Sequence, residues 1–249
     1  MPWALCAGIA ACALMATACT TRAPVPVPLP QKPIGEISHG QPGVTGEIPV
    51  PAGTRAFEID PARSVITILV YRSGPMARFG HNHVVTSGGE TGVAWMGRDP
   101  AESGFEIRIP VVSLVVDDPA ARAAAGEEFA GEVPGAAREG TFGNMTRPEV
   151  LDLAQFPEII VRCAGLAGTW EQPVAVADLT IRGVTRRVEV PVELVRSVDT
   201  LSARGSLRIR QTDFGITPFS VGGGAIQVGD ELDLRFEIVA VAQSVGGSR

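Results

Sequence analysis

The histidines of this chain are few, and their spacing limits the chemistry that they could perform. His81 and His83 are separated by one residue, so on an extended strand both would point the same way and could chelate Zn²⁺ or Cu²⁺. Glu90, Asp117 and Asp118 are available carboxylates, but no cluster of cysteines and histidines accompanies them. Three hypotheses stay open for the histidines: a structural turn, which we favour, a polar contact to the head group of a bound ligand, and a metal site.

Other motifs do not indicate catalysis. The sequence contains no Gly-x-Ser-x-Gly motif, and the serines near His81 lie in glycine-rich loops. Gly222, Gly223 and Gly224 are followed neither by Lys-Ser or Lys-Thr nor by a helical pattern, which predicts a loop rather than a phosphate-binding turn. Cys163 ends an apolar run and is predicted to be a buried thiol. We therefore expect a protein that is not an enzyme and needs no cofactor.

The composition is that of an ordinary globular protein. The chain has 249 residues, 45% hydrophobic and 19% charged, which argues against wholesale disorder and against several membrane-spanning segments. The formal net charge of -6 gives no field that would attract phosphate backbones, so no nucleic-acid partner is expected. The 29 glycines and 20 prolines can end many short elements, which favours β-structure.

Residues 1–19 have the pattern of an export signal. Residues 5–18 form an almost unbroken apolar run that is too short to span a membrane as a helix. The stretch Ala16-Thr17-Ala18-Cys19 resembles a bacterial lipoprotein box, in which the cysteine becomes the lipidated first residue. Ala16-Thr17-Ala18 also fits ordinary signal-peptidase cleavage. We expect export to the periplasm, with Cys19 carrying a lipid anchor that holds the protein at the membrane.

Residues 20–54 are predicted to be a linker between this anchor and a folded domain. Proline alternates with other residues from Pro24 to Pro30, which favours extended polyproline II structure, and glycine and proline continue through Gly53. We place the domain at residues 55–243 and a loose tail at residues 244–249.

Alternation of apolar with polar residues predicts that the domain is built from β-strands. The period of two is clearest in residues 105–111, 188–194, 206–210 and 232–240. One polar face per strand is typical of antiparallel sheets. Residues 64–72 are apolar on both faces and are expected to be covered on both sides. Shorter strands are predicted at residues 84–86, 91–96, 159–163 and 175–181.

Helical signals are confined to the middle of the domain. Residues 119–130 are rich in alanine, and Asp117-Asp118-Pro119 is predicted to cap this helix. Thr146-Arg147-Pro148-Glu149 resembles a capping box that would open a short helix through Leu153. The predicted fold class is all-β, an antiparallel barrel of about eight strands with short helices inserted mid-chain, because closure removes exposed strand edges.

Four segments carry motifs in a fixed order along the domain. They are residues 57–64 with Asp-Pro-Ala-Arg-Ser, residues 151–159 with Phe-Pro, residues 178–185 with Leu-Thr-Ile-Arg-Gly-Val-Thr, and residues 212–216 with Asp-Phe-Gly-Ile. Together they resemble the YceI-like family of exported, polyisoprenoid-binding proteins with a lipocalin-like barrel, the first segment matching that family's first strand and its turn. Their order and spacing fit this family over residues 55–243. The resemblance implies a lipocalin-like fold and an isoprenoid-type lipid as the ligand.

Two features depart from the family pattern. Gln211 stands where the family usually has an arginine, so the chain lacks that positive charge for an anionic head group. The element Phe79-Gly80-His81-Asn82-His83 is absent from the general pattern and is associated with a divergent branch.

The predicted function is that of an exported lipid-binding protein, which carries or sequesters an isoprenoid-type or other long apolar ligand in a barrel cavity. A strand of about ten residues is about 33 Å long at ~3.3 Å per residue, which suits an extended chain. The predicted ligand-binding residues are Ile68, Val70, Tyr71, His81, His83, Ile107, Val190, Phe214 and Phe236. The alternatives are a metal-dependent site at His81 and His83 and an interaction lipoprotein with a solid core. The oligomeric state stays open, a homodimer included.

Overall fold

The structure is a computed structural model that describes residues 48–242. The predicted export signal, Cys19, most of the linker and the tail lie outside the described residues. The strands, in chain order, are β1 (Arg55–Ile59), β2 (Val65–Ser73), β3 (His83–Thr86), β4 (Thr91–Met96), β5 (Gly104–Pro110), β6 (Val115–Val116), β7 (Glu158–Gly168), β8 (Pro173–Ile181), β9 (Val184–Pro191), β10 (Glu193–Arg196), β11 (Thr200–Arg210), β12 (Ser220–Val221) and β13 (Ile226–Ala242).

These strands form one antiparallel sheet. Its neighbours follow the order β6-β3-β2-β13-β1-β4-β5-β7-β8-β9, and β10 pairs with β11 while β11 and β12 pair with β13. Neighbours along most of this path are also close in the chain, as in the run β4-β5-β7-β8-β9. The all-β, lipocalin-like fold class predicted from the sequence is confirmed.

Strand β13 is the longest element of the sheet, with 17 residues. One edge pairs with β11, in register from Thr200 opposite Val241 to Arg210 opposite Glu231. Its other edge pairs with β2, with an irregularity between Val228 and Leu232, and then with β1. Because β13 pairs along both edges, it fixes the relative position of the first and last parts of the domain.

The sheet is not closed by a continuous ladder of hydrogen bonds, unlike the closed barrel that the sequence predicts. β10 follows β9 after Val192 and pairs with residues 201–204 of β11, but within residues 48–242 β9 itself forms no ladder with β11. We call the stretch where β9 faces residues 205–210 the β9–β11 seam. One local cause is Pro191, which has no N–H to donate at the point where β9 ends.

The outer face of the sheet is polar and carries ion pairs across neighbouring strands. β8 alternates strictly between buried and half-buried residues. On the outer side Arg187 pairs with Asp178 at 2.8 Å and Arg208 with Asp233 at 2.6 Å. Exposed ion pairs contribute little to stability, so the fold depends mainly on the apolar inner face.

Strand β2 is covered on both faces, as its apolar sequence predicts. Leu69 packs on the outer side with Val84 and Phe129, and alanines of the helix that follows β6 cover this cluster. The inner side carries Ile66, Ile68 and Val70, which lie against the main core. The helical excursion thus covers the apolar outer side of β2.

The structure contains two α-helices in the described part of the chain, α1 (Pro119–Ala125) and α2 (Gly135–Met145). Asp118 caps α1, because its carboxylate accepts hydrogen bonds from the N–H groups of Ala120 and Ala121. Single turns of 3-10 helix lie at Ala77–Phe79, Pro100–Glu102, Val111–Ser113, Glu127–Phe129 and Gln211–Phe214. No helix within residues 48–242 is long and apolar enough to cross a membrane.

The helix predicted to start at Thr146 was wrong. Thr146 instead ends α2, and its hydroxyl donates back to the carbonyl oxygen of Phe142 at 3.0 Å. Pro148 lies two residues beyond the C-cap Thr146, a common position for proline because it cannot continue a helix. The glycines of α2, among them Gly140 and Gly143, weakened the helical signal of the true element.

Gly92 and Gly140 allow a paired test of how closely the backbone is packed at two positions. Gly92, in β4, has φ +149°, and a Cβ there would overlap the carbonyl oxygen of Glu106 on β5. We expect Gly92→Ala to lower the free energy of unfolding by about 1–3 kcal/mol, because the paired strands must separate locally. Gly140→Ala adds a Cβ in open space on a helix and should raise it by up to about 1 kcal/mol. Urea denaturation of both variants measures the two changes, and equal effects would contradict the geometry.

Candidate ligand-binding site

The inner face of the sheet encloses a cavity of about 380 Å³. Its lining is predominantly apolar and follows β13 from Val228 to Ala240, so the cavity extends along most of that strand. The apolar residues that line it on the strands include Ile59, Ile66, Ile68, Val70, Val85, Ala94, Phe105, Ile107, Ile109, Val161, Leu179, Val188, Val190, Leu207, Phe236 and Ile238. The interior is therefore hollow rather than filled by its own side chains.

Seven of the nine predicted ligand-binding residues line this cavity. They are Ile68, Val70, His83, Ile107, Val190, Phe214 and Phe236. Most of them follow from strand alternation, since residues two apart on a strand share a face. Tyr71 and His81 lie outside the cavity lining.

Tyr71 lies on the outer face of β2, because it follows Val70 directly and side chains alternate along a strand. Its ring packs against Phe129, with the ring centroids 5.5 Å apart. Its hydroxyl donates to Asp233 Oδ2 at 3.2 Å. Burial, together with the negative charge of Asp233, raises the pKa of Tyr71. Tyr71 thus contacts the 3-10 turn Glu127–Phe129, which packs on the outer side of β2, and the outer face of β13.

His81 precedes β3 and is exposed. Its ring centroid lies 6.5 Å from that of His83, with the ring planes tilted by 58°. The extended strand on which both histidines would point the same way begins only at His83. Within the described residues no group of three or more His, Cys, Asp or Glu side chains is arranged to hold a metal ion.

His83 is held by a buried carboxylate. Its Nδ1 lies 2.6 Å from Asp117 Oδ2, and the backbone N–H of Val84 donates to Asp117 Oδ1 at 2.9 Å. Arg122 Nη1 donates to the same oxygen at 2.5 Å. Asp117 follows β6 directly and has φ +54°, a left-handed backbone conformation that ends the strand. Its carboxylate, rather than a backbone carbonyl of a longer β6, accepts the hydrogen bond from the N–H of Val84. Asp117 therefore accepts hydrogen bonds from three separate groups.

The electrostatics of this cluster favour an ionised Asp117. Burial alone would raise the pKa of Asp117, but the hydrogen bonds from His83, Val84 and Arg122 outweigh it and lower the pKa below its ordinary value of 3.8. Arg122 is itself buried and also donates to the carbonyl oxygens of Asn82 and Gly131. The guanidinium thus neutralises the carboxylate and ties the loop before β3 to α1.

Several other polar side chains line the cavity and are already hydrogen-bonded to their neighbours. Ser87 accepts from the N–H of Ile66 and bonds to Oε1 of the fully buried Glu90, whose Oε2 has no partner among the described residues. The amide nitrogen of Gln211 donates to the carbonyl oxygen of Gly229 at 2.8 Å. Thr141 donates to the backbone of its own helix.

Sequence reasoning missed part of the lining. Ser87 continues the alternation of His83 and Val85, so the sequence pattern could have found it. Trp95 lies between the lining residues Ala94 and Met96, so alternation would not have assigned it to the inner face. Thr141, Asn144 and Met145 reach the cavity from α2, which had not been predicted as a helix. No signal in the sequence places that helix against the cavity.

Cys163 is buried, as its apolar run predicts, and is the free cysteine of the described chain. Burial raises the pKa of its thiol, and Sγ donates to the carbonyl oxygen of Gly165 at 3.1 Å. It therefore behaves as a small apolar side chain.

An antiparallel sheet wrapped around an elongated apolar cavity defines the lipocalin-like class of lipid-binding proteins. The chain belongs to the YceI-like family, because the family model described as YceI-like domain matches residues 57–240. That family is known for polyisoprenoid-binding, lipocalin-like proteins. No curated protein sequence matches this chain.

Solved structures of this family have a similar fold at low sequence identity. BcnA of Burkholderia cenocepacia is 16% identical, with a TM-score of 0.51, and the match covers 73% of this chain and 99% of BcnA. The YceI protein of Campylobacter jejuni is 14% identical, with a TM-score of 0.45 over 64% of this chain and 85% of that protein. The similarity to BcnA supports the fold.

Asp117→Asn tests the buried cluster through the pH dependence of stability. We expect the substitution to lower the free energy of unfolding by about 3–5 kcal/mol near neutral pH, because it leaves Arg122 buried without its counter-charge. The lowered pKa of Asp117 means that the ionised carboxylate stabilises the fold above about pH 3.8 and that this contribution is lost as pH falls through the folded pKa. The difference between wild type and variant should therefore shrink on acidification.

Asp118→Asn is the matched control for that measurement. Asparagine caps helices about as well as aspartate, so its effect should be small at every pH. Urea denaturation at a series of pH values checks both variants, and a constant difference for Asp117→Asn would refute the assigned electrostatics.

Proposed function

We propose that this protein binds a long isoprenoid-type lipid in its cavity and carries or sequesters it in the periplasm while tethered to a membrane through Cys19. The observation that carries the proposal is the cavity itself. It is elongated and lined mainly by branched aliphatic and aromatic side chains. Membership of a family of polyisoprenoid-binding proteins supports the ligand class.

The energetics favour a ligand with a long hydrocarbon chain. Each methylene moved from water into an apolar environment contributes about 0.8 kcal/mol, so affinity can accumulate along the chain without a charged anchor. A preformed cavity adds to this, because the protein need not order its binding site on binding. A compact polar molecule would make no contact with most of the apolar lining.

Substitutions that fill the cavity test whether the lipid binds there. Ala177 lines the cavity on β8, while the adjacent Val176 points to the other face. We expect Ala177→Phe to reduce the lipid that co-purifies with the protein, because the larger side chain occupies ligand volume, and Val176→Phe to leave it unchanged. Mass spectrometry of organic extracts measures the bound lipid, and circular dichroism verifies folding.

The same extraction tests the function directly. A wild-type extract with an isoprenoid or another long-chain lipid at near-stoichiometric amount is the expected result. An extract without lipid, together with no binding of added isoprenoid alcohols, would contradict the proposal.

The membrane tether is tested by Cys19→Ala. The variant lacks the proposed acylation site, and the proline-rich linker has no apolar face of its own to bind a membrane. We expect the protein to move from the membrane fraction to the soluble periplasmic fraction. Cys163→Ala, which removes a buried thiol, should leave the distribution unchanged, and an unaltered distribution for Cys19→Ala would show that the anchor is elsewhere.

A further inference from the structure

We propose that His83 is a polar recognition point of the cavity and that it accepts a hydrogen bond from a hydroxyl group on the lipid. This inference rests on the proposed lipid-binding function and adds the chemical class of the polar end: an alcohol, phenol or hydroquinone on a long apolar chain. The sequence alone favours a structural turn for the Gly-His-Asn-His element, and the proposal gives its second histidine a role in ligand binding.

The first step is the orientation of the ring. An ionised carboxylate can only accept hydrogen bonds, so the Nδ1 atom that lies 2.6 Å from Asp117 must carry the proton. Asp117 is held by Val84 and Arg122 as well, which fixes its position. The imidazole therefore has one defined hydrogen-bonding arrangement rather than two interchangeable ones.

The second step is the charge of the cluster. Arg122 also pairs with the carboxylate of Asp117, so a single proton on Nδ1 of His83 is enough to complete the hydrogen bonds of the cluster. A neutral imidazole protonated on Nδ1 presents a lone pair on Nε2. The complementary group on a ligand is then a hydrogen-bond donor, and a hydroxyl is the donor that fits on an otherwise apolar lipid.

The third step is the position of the ring in the cavity. His83 lines the cavity, while 19% of its side-chain surface remains exposed. It lies opposite Val70, a cavity residue, in the β2–β3 ladder. Within residues 48–242 no further hydrogen bond involves its ring, whereas Ser87, Gln211 and Thr141 are bonded to their neighbours. His83 thus offers a positioned acceptor at a place where an apolar chain could end near solvent.

The test compares two probes that differ only in the donor. Geranylgeraniol and its methyl ether have the same isoprenoid chain, but the ether cannot donate a hydrogen bond. We expect the wild-type protein to bind the alcohol about three- to tenfold more tightly, as a net hydrogen bond predicts. His83→Phe should bind the two probes equally, and His83→Gln, whose amide oxygen can accept, should keep part of the preference.

His81→Phe is the matched control, because His81 is exposed and lies outside the cavity lining. It should keep the full preference for the alcohol. Equal binding of both probes by wild type, or a preference that survives His83→Phe, would overturn the role of His83 while leaving lipid binding intact. Failure of wild type to bind either probe would instead refute the proposed function. Thermal melting of each variant verifies folding, and His83→Gln provides the comparison if His83→Phe does not fold.

Discussion

The fold depends on the pairing of β13, a strand of 17 residues that carries hydrogen-bond ladders along both edges. Backbone N–H and C=O groups that leave water must find partners, and a long strand with two paired edges satisfies most of its own and its neighbours' groups. Because β11 and β2 are both in register with β13, the inward positions of all three strands are set together. Because the backbones of these strands are held in place, their inward side chains cannot approach each other closely enough to fill the interior.

The cluster at Asp117 places a buried ion pair beside a largely apolar interior. Burying an ion pair costs several kcal/mol in desolvation, which is tolerated only where hydrogen bonds and charge are nearly complete. Here three donors reach one carboxylate, and Arg122 is held in turn by two carbonyl oxygens. The cluster thereby joins β3, α1 and the loop before β3, so the helical excursion and the histidine of the cavity wall are positioned by the same interactions.

The sequence was sufficient for the all-β class and for most of the cavity wall, because alternation along a strand is a local property. Ile107, Val190 and Phe236 could be assigned to the inner face on that basis alone. The contact between His83 and Asp117 could not, since the two residues are 34 positions apart and meet only through the turn at Asp117. Helix α2 was missed because its glycines give it a weak local preference, and packing against the sheet must supply the difference.

The β9–β11 seam has a mechanical consequence for the interior. A ladder of hydrogen bonds resists separation of its strands, so the circumference of the sheet is nearly fixed wherever the described strands are paired. Along the seam a small lateral displacement of β9 breaks no ladder bond of the described chain. A change in the inner width of the cavity therefore costs least along the seam, and the paired strands of the rest of the wall can keep their positions while it occurs.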